Sequence, residues 1–111
     1  MDFIGLEMII FHDLPLKKMT IQLESAPKLI IEISEYDDTL NEYIEKEITF
    51  EELETITPEK VPFDHYHETE IYSFDYFLTG TLFHGKMVCL EGPGKPHHEI
   101  EFSCKSVTIK E

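Results

Sequence analysis

Apolar and polar residues alternate with a period of two along most of the chain. Met19, Ile21 and Leu23 alternate with Thr20, Gln22 and Glu24; after Ser25-Ala26-Pro27, Leu29, Ile31 and Ile33 alternate with Ile30, Glu32 and Ser34. Successive side chains of a strand point to opposite faces, so the pattern predicts a hairpin with one buried face. A polar opposite face is what an antiparallel sheet needs when one side meets water.

Asp37-Asp38-Thr39 reads as a turn, and Ile48-Thr49-Phe50 reads as a strand. Thr49 followed by Glu52 also fits a helix capping box, which places a short helix over Phe50 to Ile56, within Glu42 to Ile56. Pro58 and Pro62 mark an irregular connection, since proline neither continues a helix nor donates to a central ladder. From Glu70 to Leu90 a second hairpin turns at Thr79-Gly80, with Tyr72, Phe74, Tyr76 and Leu78 on one face of its first strand and Leu82, Val88 and Leu90 along the second. Gly92-Pro93-Gly94-Lys95-Pro96 is a loop tip by composition. Alternation resumes through Ile100, Phe102 and Cys104 and again at Val107 and Ile109, with a break near Lys105-Ser106 that predicts a bulge or a bend. Six or seven short strands at roughly ten-residue spacing predict an all-β fold: a single-domain antiparallel sandwich or partly open barrel, with room for one short helix. The expected core comprises Ile21, Leu23, Leu29, Ile31, Ile33, Phe74, Tyr76, Val88, Leu90, Ile100 and Phe102.

The 111 residues amount to one domain, 1–111, large enough to bury roughly two-thirds of its unfolded surface. Charge narrows the range of partners. Asp and Glu number 23 against nine basic residues, all of them Lys, for a formal net charge of -14. Nucleic acid is therefore not an expected partner, because phosphate recognition needs a basic patch. Asp2 and Glu7 interrupt the only apolar start, so no signal peptide is expected, and no run approaches the roughly 18 apolar residues of a membrane span. Cys89 and Cys104 are too few for a disulfide framework and lack CxxC spacing, which suits core thiols in a reducing cytoplasm.

The most distinctive stretch runs from Glu32 to Glu54, where ten carboxylates accompany a single Lys46. Concentrated charge of one sign steers a partner of the opposite sign and speeds encounter. Glu35, Asp37, Asp38, Glu42, Glu45, Glu47, Glu51 and Glu52 are accordingly the candidate partner-binding residues, and the expected partner is a basic protein. Calcium is not expected there, since the EF-hand ligand order and its central Gly are missing.

His65, His67, His97 and His98 lie close to Asp64, Glu68 and Glu99 in sequence. On a strand His65 and His67 would share a face, a geometry a transition metal can use. No HExxH or paired CxxC supports a site, so neither metal nor cofactor is expected. No catalytic residues are expected either. Ser73, Ser103, Cys89 and Cys104 have no nucleophile motif around them, and Gly92-Pro93-Gly94-Lys95 is not a phosphate-binding P-loop because the GxxxxGK[ST] frame is absent. His12-Asp13 before Leu14-Pro15 predicts a turn lock, with Asp13 accepting backbone N–H bonds and His12 hydrogen-bonding the next strand.

The run Ile9-Ile10-Phe11-His12-Asp13-Leu14-Pro15-Leu16, followed by Lys18-Met19-Thr20-Ile21, the strand Leu29-Ile30-Ile31-Glu32-Ile33, the Ile48-Thr49-Phe50 strand and a last strand from Ile100 to Ile109, resembles small bacterial immunity-type proteins of polymorphic-toxin systems. Glu51-Glu52 stand where Gly-Val often follows in such proteins. The resemblance implies a cytoplasmic protein that binds and neutralises a toxin domain. The alternative is a structural or small-ligand- or metal-binding β domain. Neither choice sets an oligomeric state.

Overall fold

A computed structural model describes residues 3–12, 14–58, 70–90 and 97–111. A short helix, α1 (Phe3–Glu7), precedes six strands: β1 (Leu14–Gln22), β2 (Lys28–Asp37), β3 (Glu42–Pro58), β4 (Glu70–Thr79), β5 (Leu82–Leu90) and β6 (His97–Lys110). The order around the ring is β1-β2-β3-β6-β5-β4, every neighbouring pair antiparallel. Of the two predicted architectures the barrel is the one formed. It consists of two three-stranded meanders joined by long β3–β6 pairing and by two residue pairs, Leu14 with Ile71 and Pro15 with Glu70.

The β1–β2 hairpin keeps the predicted alternation, pairing Met19 with Ile31 and Ile21 with Leu29. The Asp37 turn is also formed: the Asp37 carboxylate accepts N–H bonds from Thr39 (2.8 Å) and Leu40 (3.1 Å). Helix over Phe50 to Ile56 is not formed. Those residues continue β3, because Ile48 and Phe50 are fully buried and their neighbours pair with β2 on one side and β6 on the other. Burial on a two-sided ladder outweighs a local capping signal. The helix that does form, α1, sets Leu6 fully inside.

At about 3.3 Å per residue, the 17 residues of β3 would run about 56 Å if straight, well beyond the molecule's 36 Å longest extent. The strand therefore bends, and it does so at Glu52, a non-glycine residue at φ 55°. Leu53 N–H there donates to the Pro27 carbonyl at 3.0 Å. The opposing Lys105-Ser106 break is a bend facing Glu52, with the register shift falling on β3 between Leu53 and Thr55.

The interior is dominated by aromatic rings. Phe50 lies 4.6 Å from Phe102, 5.7 Å from Phe83 and 5.8 Å from Phe74 between centroids, and Tyr76 stacks on Phe83 at 5.4 Å. Gly85 makes room for this cluster: a Cβ there would sit 2.6 Å from Phe102 Cζ. Leu29, Ile31, Ile33, Phe74, Ile100 and Phe102 are buried as expected, and Ile21 and Tyr76 pack partly against the core. The other expected core positions differ. Leu23 is 65% exposed because β1 ends at Gln22, before it. Val88 and Leu90 are only half-buried, alternating with Met87 and Cys89, which with Phe83 form the true inner face of β5. In β4 a register shift between Ile71 and Ser73 changes phase, so Ile71 and Phe74 turn inward while Tyr72 and Leu78 remain about half exposed. Both faces of these two strands carry apolar residues, and only the pairing selects between them.

Candidate functional site

The acidic segment forms the β2–β3 ribbon, with Glu32, Glu45, Glu47 and Glu51 on its outer face. Lys28 to Asp37 pair with Glu51 to Glu42 over ten residue pairs without a shift, so residues facing out on one strand stand beside outward residues of the other. One of these outward pairs opposes like charges, Glu32 with Glu47, and Glu45 follows on the same face opposite Ser34; Asp37 opposes Glu42 on the other side of the ribbon, in phase with Ile33 and Glu35. Lys18 and Lys110 flank the Glu32–Glu47 row in register, yet among the described residues no ion pair within 4 Å joins either lysine to these glutamates. At the head of the ribbon Tyr36 faces Tyr43 edge-on at 5.2 Å, 44% and 65% exposed.

The eight candidate residues separate into two groups. Asp38, Glu42, Glu45 and Glu52 are exposed, and Glu47 and Glu51 half-exposed, with Glu51 accepting a hydrogen bond from the Thr108 hydroxyl at 3.2 Å. Glu35 and Asp37 have internal tasks. Ile33 pairs with Lys46 and Glu35 with Ile44, so Glu35 and Lys46 occupy inward-facing positions at one end of the barrel, where Lys46 Nζ donates to Glu35 Oε1 at 2.7 Å. The Asp37 carboxylate holds its own turn. Along the acidic ribbon β3 pairs with β2 throughout, and with β6 only from Glu47 onward. A partner at Glu47 to Glu51 therefore meets side chains, while among the described residues Glu42 to Lys46 leave one strand edge unpaired.

The outer surface beyond the Glu52 bend differs in kind. Two rows cross four strands, Phe77-His84-Ser103-Thr55 and Asp75-Lys86-Glu101-Thr57. All of these but the buried Ser103 line a shallow groove of about 340 Å³. Phe77 and His84 stack at 4.7 Å, and Thr55 and Ser103 share a 2.7 Å hydroxyl hydrogen bond. Here the charges answer one another. Lys86 stands opposite Asp75 and Glu101 in register, with Nζ 3.7 Å from Glu101 and 3.9 Å from Glu99, while Lys105 reaches Glu54 at 3.2 Å. Sequence reasoning did not single out this groove, because its members come from four strands whose order is invisible in the chain.

Cys89 and Cys104 are free and buried. Burial pushes their thiols up, to about 12 and about 11, which keeps both protonated at neutral pH and unsuited to nucleophilic attack. His12 hydrogen-bonds the Tyr72 carbonyl through Nδ1 at 2.7 Å; it locks the N-terminal segment onto β4 and not onto the next strand, while Asp13 lies outside the described residues. The backbone of His97 and His98 pairs with Leu90 and Cys89. His65, His67 and the Gly92-Pro96 loop lie outside the described residues. Among the described residues no group of three or more His, Cys, Asp or Glu side chains is placed to hold a metal ion, and no helix is long and apolar enough to cross a membrane.

No protein-family model, curated protein or solved structure matches this chain.

Proposed function

We propose that the protein is a cytoplasmic binding module of the immunity type, whose acidic β2–β3 face meets and inhibits a basic toxin domain. The observation that carries this is a like-charge pair, Glu32 opposite Glu47, on the outer face of a regular ladder, with exposed Glu45 beside it on the same face. Like charges directly opposite destabilise a sheet, so the retention of this pair on the outer face favours a role outside folding. Their field would draw in a cationic partner and raise the association rate more than the lifetime of the complex.

The test uses as the immobilised partner the product of the gene adjacent to this protein's own, which under the proposal carries the toxin domain. Association of the intact protein is expected to slow by tens of times or more between low and high salt. Reversal of Glu42, Glu45 and Glu47 to Lys should slow it at low salt, leaving dissociation nearly unchanged. An association rate indifferent to both salt and reversal overturns the proposal, as does failure of co-expression to protect cells from that domain. The Asp75–Lys86–Glu101 groove favours a second function, binding of a small polar ligand. In that case the same triple reversal would leave ligand binding intact.

A further inference from the structure

We infer that the head of the β2–β3 hairpin is the anchor of the partner interface and takes an arginine or lysine side chain of a basic protein over the rings of Tyr36 and Tyr43. This rests on the proposed function and says where on the acidic face the tightest contact forms. The two tyrosines are a cross-strand pair on the outer face, both substantially exposed, and Leu40 at the turn is 59% exposed. Aromatic side chains bring large contact area at low entropic cost, and they predominate among residues whose truncation costs binding most.

The head is held in shape before any partner arrives. Asp37 accepts two backbone N–H bonds across the turn, Asn41 takes the left-handed conformation at φ 55°, and the Tyr36 hydroxyl donates to Asn41 Oδ1. Tyr36 is therefore tethered at its polar end with ring surface still exposed. A surface ordered in advance loses less entropy on binding.

Charge selects the occupant. Asp38 and Glu42 are exposed at the turn, and Glu45 is the next outward residue after Tyr43 on β3. A cation over a tyrosine face is attracted by the ring quadrupole, and carboxylates around the ring strengthen its hold. A second copy of this chain would bring the same acidic head and a net charge of -14 to meet its equal, which opposes self-association at this face.

The experiment titrates the isotope-labelled full chain with an Arg-Gly-Arg-Gly-Arg-Gly peptide at low salt and follows amide shifts by NMR. The largest shifts are expected at Tyr36, Leu40 and Tyr43. Tyr43→Phe should bind within about twofold of the parent, whereas Tyr43→Ala should bind roughly two- to fivefold more weakly. Unchanged shifts at Ile31 and Phe50 confirm that either variant is folded. Should Tyr43→Ala bind as the parent does, with shifts centred on Glu45 and Glu47, the anchor is overturned while the acidic face keeps its proposed role. No saturable shift at any residue overturns both. A dimer in sedimentation that Leu40→Asp converts to monomer assigns the head to self-association and also overturns the anchor.

Discussion

The two long hairpins of this barrel are built alike and charged differently. In β4–β5, Asp75 faces Lys86, and Lys86 reaches on to Glu99 and Glu101 of the neighbouring strand. In β2–β3, glutamate faces glutamate, aspartate faces glutamate, and two exposed tyrosines crown the turn. A cross-strand pair contributes roughly 0.2–1 kcal/mol with a sign set by its charges, so the first arrangement supports the fold and the second opposes it. Within the second hairpin the difference recurs residue by residue. Glu35 is held by Lys46 and Asp37 by its own turn, whereas among the described residues Glu32, Glu45 and Glu47 of the outer face have no ion-pair partner within 4 Å. Carboxylates close in sequence thus differ in what holds them, according to their place on the ladder.

Both hairpins depend on one interior, and Phe50 is where that dependence can be broken. Its ring touches Phe74, Phe83 and Phe102 from the other meander. Phe50→Ala should cost about 3–5 kcal/mol in urea unfolding, and both hairpins should unfold in a single transition. Survival of either hairpin alone would show that the meanders are independent.

Alkaline pH probes the interior independently of the surface charge, because the thiols belong to β5 and β6 and are buried. Their folded pKa values stand above the ordinary 9.0, at about 12 for Cys89 and about 11 for Cys104. Below pH 9 both states hold the proton and the thiols have no effect on stability. Above it the unfolded state ionises first, so stability falls as pH rises, by about 1.4 kcal/mol for each pH unit at Cys89 until about pH 12. A Cys89→Ala, Cys104→Ala double variant should lose this slope in denaturant titrations between pH 9 and 11. In the parent, a thiol reagent at pH 8 should label neither cysteine until denaturant is added.

The smallest effects test the charge contrast directly. Glu42→Lys places a cation opposite Asp37 and is expected to stabilise the protein by a few tenths of a kcal/mol at low salt, the gain fading as salt is added. Lys86→Glu sets a fourth carboxylate among Asp75, Glu99 and Glu101 and should destabilise by about 0.5–1 kcal/mol under the same conditions. Thermal melts at two ionic strengths distinguish the cases, and equal responses from the two hairpins would remove the contrast.

The local grammar of this protein was legible in the order of its residues. Period-two alternation marked the strands, and Ser25-Ala26-Pro27, Asp37-Asp38-Thr39 and Thr79-Gly80 marked the turns, because side-chain direction in a strand and turn conformation are set within a few residues. That order also located the acidic segment, since charge needs no partner to be counted. What depends on distant neighbours emerged only with the folded pairing. Apolar residues on both faces of β4 and β5 left the buried face to the register shift at Ile71/Ser73 and to the rings of Phe50 and Phe102. Phe50 to Ile56 became strand because β6 pairs along this stretch and β2 pairs with it as far as Glu51. Glu35 was separated from Glu45 and Glu47 by Lys46, whose register opposite Ile33 sets it on the inward side with Glu35. Burial and pairing are sums over residues far apart in the chain, and such sums exist only once the ring has closed.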